Sequence, residues 1–229
     1  LGLVAFVSAL ITLKETHRFQ RTRLSLESVA LNYIGLLSNR QFMLFAGNLG
    51  FQASIFFAFV SFLPFAFHKL GYSAAAFGIL ITVMPIGFLI GSGVSRKLTP
   101  TWGISRMVRT GSCLSILATG LMAVLAFGGY RSVLALLLPA GFFAFSNGLV
   151  VANSTMGAVN ASHRSVAGFA SGLAGSFQLA FGSLIAWLTV YLGAANDVRI
   201  GLAVVFTMAL GGTFLAFLIT PEIRTSTPP

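Results

Sequence analysis

Of 229 residues, 56% are hydrophobic and 8% charged, against roughly 25% charged in an ordinary soluble domain, so lipid is the main solvent and a water-soluble globular fold is excluded. The formal net charge of +10 would suit a nucleic-acid binder, but the cations sit in short connections between apolar runs and not on one face interleaved with exposed aromatics, which excludes that class too. One cysteine, Cys113, and three scattered histidines, His17, His68 and His163, exclude an intrachain disulfide and leave no ligand cluster, so neither a metal nor a cofactor is expected.

In chain order, the apolar run from Leu1 to Leu13 is about half the roughly 20 residues that cross a bilayer, and it lacks the basic start of a signal peptide. Residues 1–13 are expected to be the end of a truncated transmembrane helix, and the chain a fragment of something larger. Residues 14–41 read as a cytoplasmic linker. Within it Leu26, Val29, Ala30, Tyr33, Ile34 and Leu37 recur at helical spacing, with Ser25 placed to cap and Glu27 in the first turn, which predicts a short amphipathic helix at the interface linking two bundles.

Six runs of spanning length follow, at about 42–66, 75–95, 108–127, 133–154, 166–192 and 200–220. Each carries Gly, Pro or Ser without a charge breaking its interior, which membrane helices tolerate because neighbouring helices satisfy freed backbone groups. They are too long and continuous for the strands of a membrane barrel. The expected fold class is an all-α polytopic membrane protein, a six-helix bundle over 42–220 followed by a cytoplasmic tail at 221–229.

The cations set the topology. Lys14, Arg18, Arg21, Arg23, Arg40, Arg96, Lys97, Arg106, Arg109, Arg164 and Arg224 fall on one side, and Lys69, Arg131 and Arg199 on the other. This asymmetry places the first side, and the C-terminus, in the cytoplasm.

Polar residues inside the runs carry the functional signal. Asn48, Gln52, Phe56 and Phe59 recur at steps of 4, 4 and 3 and form one stripe. An amide in a span needs partners, so it marks either helix packing or a substrate cavity. The run at 166–192 repeats the arrangement with Ser171, Gly175, Gln178 and Gly182, and places Gly168 and Gly172 at a spacing whose default meaning is close helix packing. Pro139 predicts a kink in the run at 133–154, which also holds Asn147 and Asn153, the latter near the cytoplasmic end where it caps or packs. The run at 75–95 contains Pro85, Gly87 and Gly91. The runs at 108–127 and 200–220, whose interiors hold only Ser, Thr, Gly and Cys among apolar residues, read as outer scaffold.

The segments Asn39-Arg40-Gln41-Phe42, Ala53-Ser54-Ile55-Phe56-Phe57-Ala58-Phe59-Val60-Ser61-Phe62-Leu63-Pro64-Phe65, Leu70-Gly71-Tyr72-Ser73 and Phe77-Gly78 resemble the start of the C-terminal half of Bcr/CflA-type drug efflux transporters of the major facilitator superfamily. Gly91, Ser95-Arg96, Gly103 and Arg106 are similar to that half's echo of the superfamily's cytoplasmic loop motif, with Ser95 where an acidic member usually stands. Ala167-Gly168-Phe169-Ala170-Ser171-Gly172 resembles the start of the eleventh helix. The resemblance covers residues 1–220, and implies two inverted three-helix repeats, about 42–127 and 131–220. It also implies a bacterial inner-membrane protein, not an enzyme, that exports a small-molecule substrate by proton-driven alternating access, with membrane lipid and a missing N-terminal six-helix half as its partners.

Proton coupling requires a titratable group within the membrane, and no Asp, Glu or His lies in any of the six runs. Protons are therefore expected to couple through the missing half, while this chain supplies half of the substrate cavity. Phe56, Phe59 and Met84 would give apolar contact, and Asn48, Gln52, Asn147 and Gln178 hydrogen bonds. Both stripes, the one from Asn48 to Phe59 and the one of Ser171, Gly175 and Gln178, are expected to face that cavity and not the bundle's internal contacts. Other readings are a metabolite transporter of the same superfamily, a passive channel and a membrane scaffold. An intramembrane protease built on Ser171 lacks a base, since no span contains His.

Overall fold

The computed structural model describes residues 26–129 and 132–220. The expectations for residues 1–25, the Ser25 cap among them, for Arg131 and for the tail at 221–229 fall outside that range. Among the described residues the chain is helical throughout: α1 Leu26–Ser38, α2 Arg40–Lys69, α3 Ala74–Leu80, α4 Val83–Trp102, α5 Ile104–Phe127, α6 Val133–Asn160, a 3-10 turn Arg164–Val166, α7 Ala167–Tyr191 and α8 Val198–Leu218.

Local chemistry explains where these helices start and stop. The side chains of Asn39, Ser73, Ser132 and Asp197 each accept a bond from a backbone N–H in the first turn of the helix that follows, which satisfies donors a helix start would leave unpaired. Between α4 and α5 the chain reverses through Gly103 alone, at φ 82°, a conformation that costs a residue with a Cβ far more than it costs glycine.

Six segments are long and apolar enough to cross a membrane: Arg40–Lys69, Ala74–Trp102, Ile104–Phe127, Val133–Asn160, Ala167–Tyr191 and Val198–Leu218. The second departs from the single helix expected at 75–95, because it divides at Ile81 and Thr82 into α3 and α4. Pro85 thereby falls in the first turn of α4, where its missing N–H removes no helical bond. Pro139, expected to kink its run, lies within a continuous α6.

The chain divides into two units between Leu31 and Asn32, and of the first only residues 26–31, the opening of α1, are described. In the second unit α2 and α6 form the centre. α2 packs chiefly on α7 and α8, and α6 on α4 and α5. Each trio's first helix thus docks on the other trio's second and third, as two interleaved three-helix units require. Phenylalanine rings of α2 lie over glycines of its neighbours: Phe45 over Gly157, Phe51 over Gly211, Phe57 over Gly182 and Phe62 over Gly201. With no hydrophobic effect between helices in lipid, such close seating supplies the dispersion contacts that hold them together.

α4 and α6 approach still more closely. A Cβ added at Gly91 would lie 2.0 Å from the Phe145 carbonyl oxygen, and one at Gly148 2.4 Å from that of Phe88. From Asn32 onward, α1 buries Leu36 and sets Tyr33 edge-on to Phe169, with ring centroids 5.5 Å apart. Ile34 and Leu37 stay exposed, so the packed face is rotated away from the face the spacing predicted.

Candidate functional site

Between α4 and α7, over α2 and α6, lies a cavity of about 440 Å³. α2 contributes Ala53, Phe56 and Phe57, α4 contributes Met84, Pro85 and Phe88, α6 contributes Phe143, Ala144, Asn147 and Val151, and α7 contributes Gln178 and Leu179. Volume and lining match the general form of a small-molecule site, an apolar concavity with a few placed polar groups.

Those polar groups are two amides. The Asn147 Nδ2 donates to the Gln52 carbonyl at 3.5 Å, the long limit of a hydrogen bond, and its Oδ1 has no partner among the described residues. Gln178 is half-buried and its side chain makes no hydrogen bond with any described residue. Both therefore keep donor or acceptor capacity for a ligand.

Asn48 and Gln52 are placed differently. Asn48 is fully buried, its Nδ2 donating to Ser112 Oγ at 3.1 Å and to the Gly212 carbonyl at 2.7 Å, while its Oδ1 accepts from Ser154 Oγ at 2.9 Å. Gln52 Nε2 donates to Ser115 Oγ at 3.1 Å, and that hydroxyl lies 2.8 Å from Ser146 Oγ. These two amides form a seam joining α2 to α5, α6 and α8. This corrects the expectation that the whole stripe faces a cavity and not internal contacts.

Helix geometry gives the reason. At 3.6 residues per turn, a four-residue step advances about 40° around the axis, so Phe56 stands about 80° from Asn48, with Phe59 between Asn48 and Gln52. Phe56 is accordingly 41% exposed and lines the cavity, whereas Phe59 is fully buried, its ring centroid 5.3 Å from that of the lining Phe143. Phe59 supports the wall without forming it. Met84 lines the cavity directly.

On α7, Gln178 alone of its stripe lines the cavity. Ser171 is exposed and donates to the Gly168 carbonyl of its own helix at 3.1 Å. The space beside Gly168, Gly172 and Gly175 is open, so no described residue makes the close packing expected of the Gly168 and Gly172 pair.

The expected loop-motif residues have separate placements. Gly91 permits the crossing of α4 with α6, and Gly103 makes the turn into α5. Arg96 and Arg106 are exposed. Ser95 is buried and accepts from Asn153 Nδ2 at 2.7 Å, a neutral contact between α4 and α6. Among the described residues no group of three or more His, Cys, Asp or Glu is placed to hold a metal.

Sequence reasoning missed Ser112, Ser115, Ser146 and Ser154 as partners of the amides, and Phe57, Phe88 and Phe143 as cavity lining. It also grouped Arg109 with a connection, although this residue lies in α5 and donates from Nε to the Ala216 carbonyl at 3.2 Å and from Nη2 to that of Ile219. There it satisfies carbonyls at the end of α8 and opposes that helix's dipole. The spacing of Ser112, Ser115 and Thr119 on α5, at steps of three and four, was the available signal, a hydroxyl stripe on one helix face to partner the amides Asn48 and Gln52 on one face of α2.

Six segments long and apolar enough to span a bilayer, four of which border a cavity with two incompletely bonded amides, define an integral membrane protein. No protein-family model matches the chain. It is similar to a protein of Bacillus subtilis (strain 168) described as the uncharacterised MFS-type transporter YdgK, with 25% identity over 225 residues, 97% of this chain and 55% of that relative. The chain thus spans about half the length of the curated relative it matches.

Proposed function

We propose that this bundle is the C-terminal half of a secondary transporter of the major facilitator superfamily, and that the cavity between α4 and α7 is its share of the substrate site. The observation that carries the reading is the pairing of Asn147 and Gln178, incompletely bonded amides, with the Phe56, Phe57, Phe88 and Phe143 rings in one cavity. Support comes from the relative's description as a transporter, from the interleaved trios, and from the open small-residue face of α7, which suits close approach by a second bundle.

In this reading a six-helix N-terminal half covers the face between α4 and α7, and the two halves rock about the cavity in alternating access. The lining selects lipophilic small molecules with an uncharged hydrogen-bonding group, since it offers rings and amides and no charge. Export is driven by protons through a titratable group of the other half, because the apolar interiors of the six spans hold no Asp, Glu or His, His68 lying in the last turn of α2. The end of α2 that carries Arg40 faces the cytoplasm of a bacterial inner membrane, by the distribution of Lys and Arg.

The test is flux through the complete protein in liposomes. A proton gradient should drive exchange of a lipophilic substrate, and Gln178→Ala should change which substrates exchange. Gradient-driven leak without saturation would assign a channel, and no flux of any kind a scaffold.

A further inference from the structure

A second cavity lies where α4 turns into α5. Trp102, Arg106, Arg109 and Thr110 line an open cleft of about 360 Å³. Arg109 is held by the carbonyls at the end of α8 and lies 5.8 Å from the Phe217 ring centroid. Arg106 is exposed and makes no hydrogen bond or ion pair with any described residue. The two described carboxylates, Glu27 and Asp197, are not part of the lining, and Glu222 lies outside the described residues. Arg106 keeps its full donor fork and Arg109 the N–H groups not taken by the carbonyls of Ala216, Phe217 and Ile219, and with no carboxylate in the lining this pair favours a phosphate.

Depth identifies the source of that phosphate. α5 has 24 residues, about 36 Å at about 1.5 Å each, against about 30 Å of hydrocarbon. Its first turn, with Arg106, therefore reaches headgroup level. Trp102, 45% exposed at the end of α4, is a residue type that settles at that level. Below Arg106, the same face of α5 continues as Thr110, Cys113, Leu117, Leu121 and Val124, with the last three well exposed. A bare apolar stripe beneath paired guanidiniums has the outline of one phospholipid molecule, and a soluble anion would leave the stripe unused.

We propose that this cleft binds the phosphate of an anionic phospholipid whose acyl chain lies along the exposed stripe of α5. A zwitterionic headgroup would bring a cation toward two guanidiniums with no carboxylate lining the cleft to receive it.

The experiment is native mass spectrometry of the complete protein in non-ionic detergent, titrated separately with phosphatidylglycerol, phosphatidylcholine and glycerol phosphate. Phosphatidylglycerol should be retained at least about fivefold better than phosphatidylcholine, and Arg106→Gln should lower that retention about fivefold, as expected for one basic side chain at a membrane surface. Arg96→Gln, which removes an exposed cation of α4 outside the cleft, should change retention by less than about twofold on the same scale. Arg106→Lys should fall between wild type and Arg106→Gln. Equal retention of the two lipids, or an equal loss in the Arg96 and Arg106 variants, would overturn the site. Glycerol phosphate binding as tightly as phosphatidylglycerol would also overturn it, assigning the cleft to a soluble anion.

Discussion

Asn48 and Gln52 on one side, and Asn147 and Gln178 on the other, are four amides of the same chemistry within one bundle. The first pair is consumed by the protein: Ser112, Ser115, Ser154 and the Gly212 carbonyl take up its hydrogen bonds. The second pair borders a ring-lined cavity with capacity to spare. An amide in a membrane helix is costly until it is bonded, so what separates structure from function here is whether the neighbouring helix presents a hydroxyl or an open space.

The largest effect that would sharpen this contrast is expected from Asn48→Ala. It removes three interhelical bonds, each worth about 0.6 and at most about 1.7 kcal/mol in membrane bundles, so unfolding in detergent should show a loss of about 2–4 kcal/mol. Gly148→Ala should cost about 1–3 kcal/mol by overpacking, because the new Cβ meets the backbone of α4 within 2.4 Å. Gln52→Ala should destabilise by about 1–2 kcal/mol by leaving Ser115 short of a partner, with no selective effect on substrates. Smallest in stability is Gln178→Ala, expected to lie within about 0.5 kcal/mol of wild type while weakening binding of a hydrogen-bonding substrate about three- to tenfold, the value of one such bond. A stability ranking with Gln178→Ala below Asn48→Ala would break the comparison.

Much of the fold is legible because the bilayer imposes it. Length and apolarity mark the six spans without knowledge of their contacts, and uncharged interiors leave little ambiguity. The division at Ile81 and Thr82 was hidden, since Pro85 signals a helix start and a helix bend with the same residue. On α2 the spacing located the stripe, but not the angle at which it passes from buried Asn48 to exposed Phe56, which depends on where α5, α6 and α8 dock. Arg109 misled for a related reason. A cation at a span's edge reads as a loop residue until the carbonyls of α8 are seen beneath it. The cavity itself was half legible: Phe56, Met84, Asn147 and Gln178 were marked by type, whereas Phe57, Phe88 and Phe143 were indistinguishable from the other phenylalanines of the chain.

The most direct test compares cysteine accessibility at two positions of the complete protein in a Cys113→Ala background. Gln178→Cys places a thiol in the cavity, and Ser146→Cys, nearly isosteric, places one in the seam. The account predicts that a small thiol reagent modifies position 178, that a lipophilic substrate slows that reaction, and that position 146 stays unreactive with or without substrate. Modification at 146 that substrate blocks, with position 178 indifferent to substrate, would contradict it.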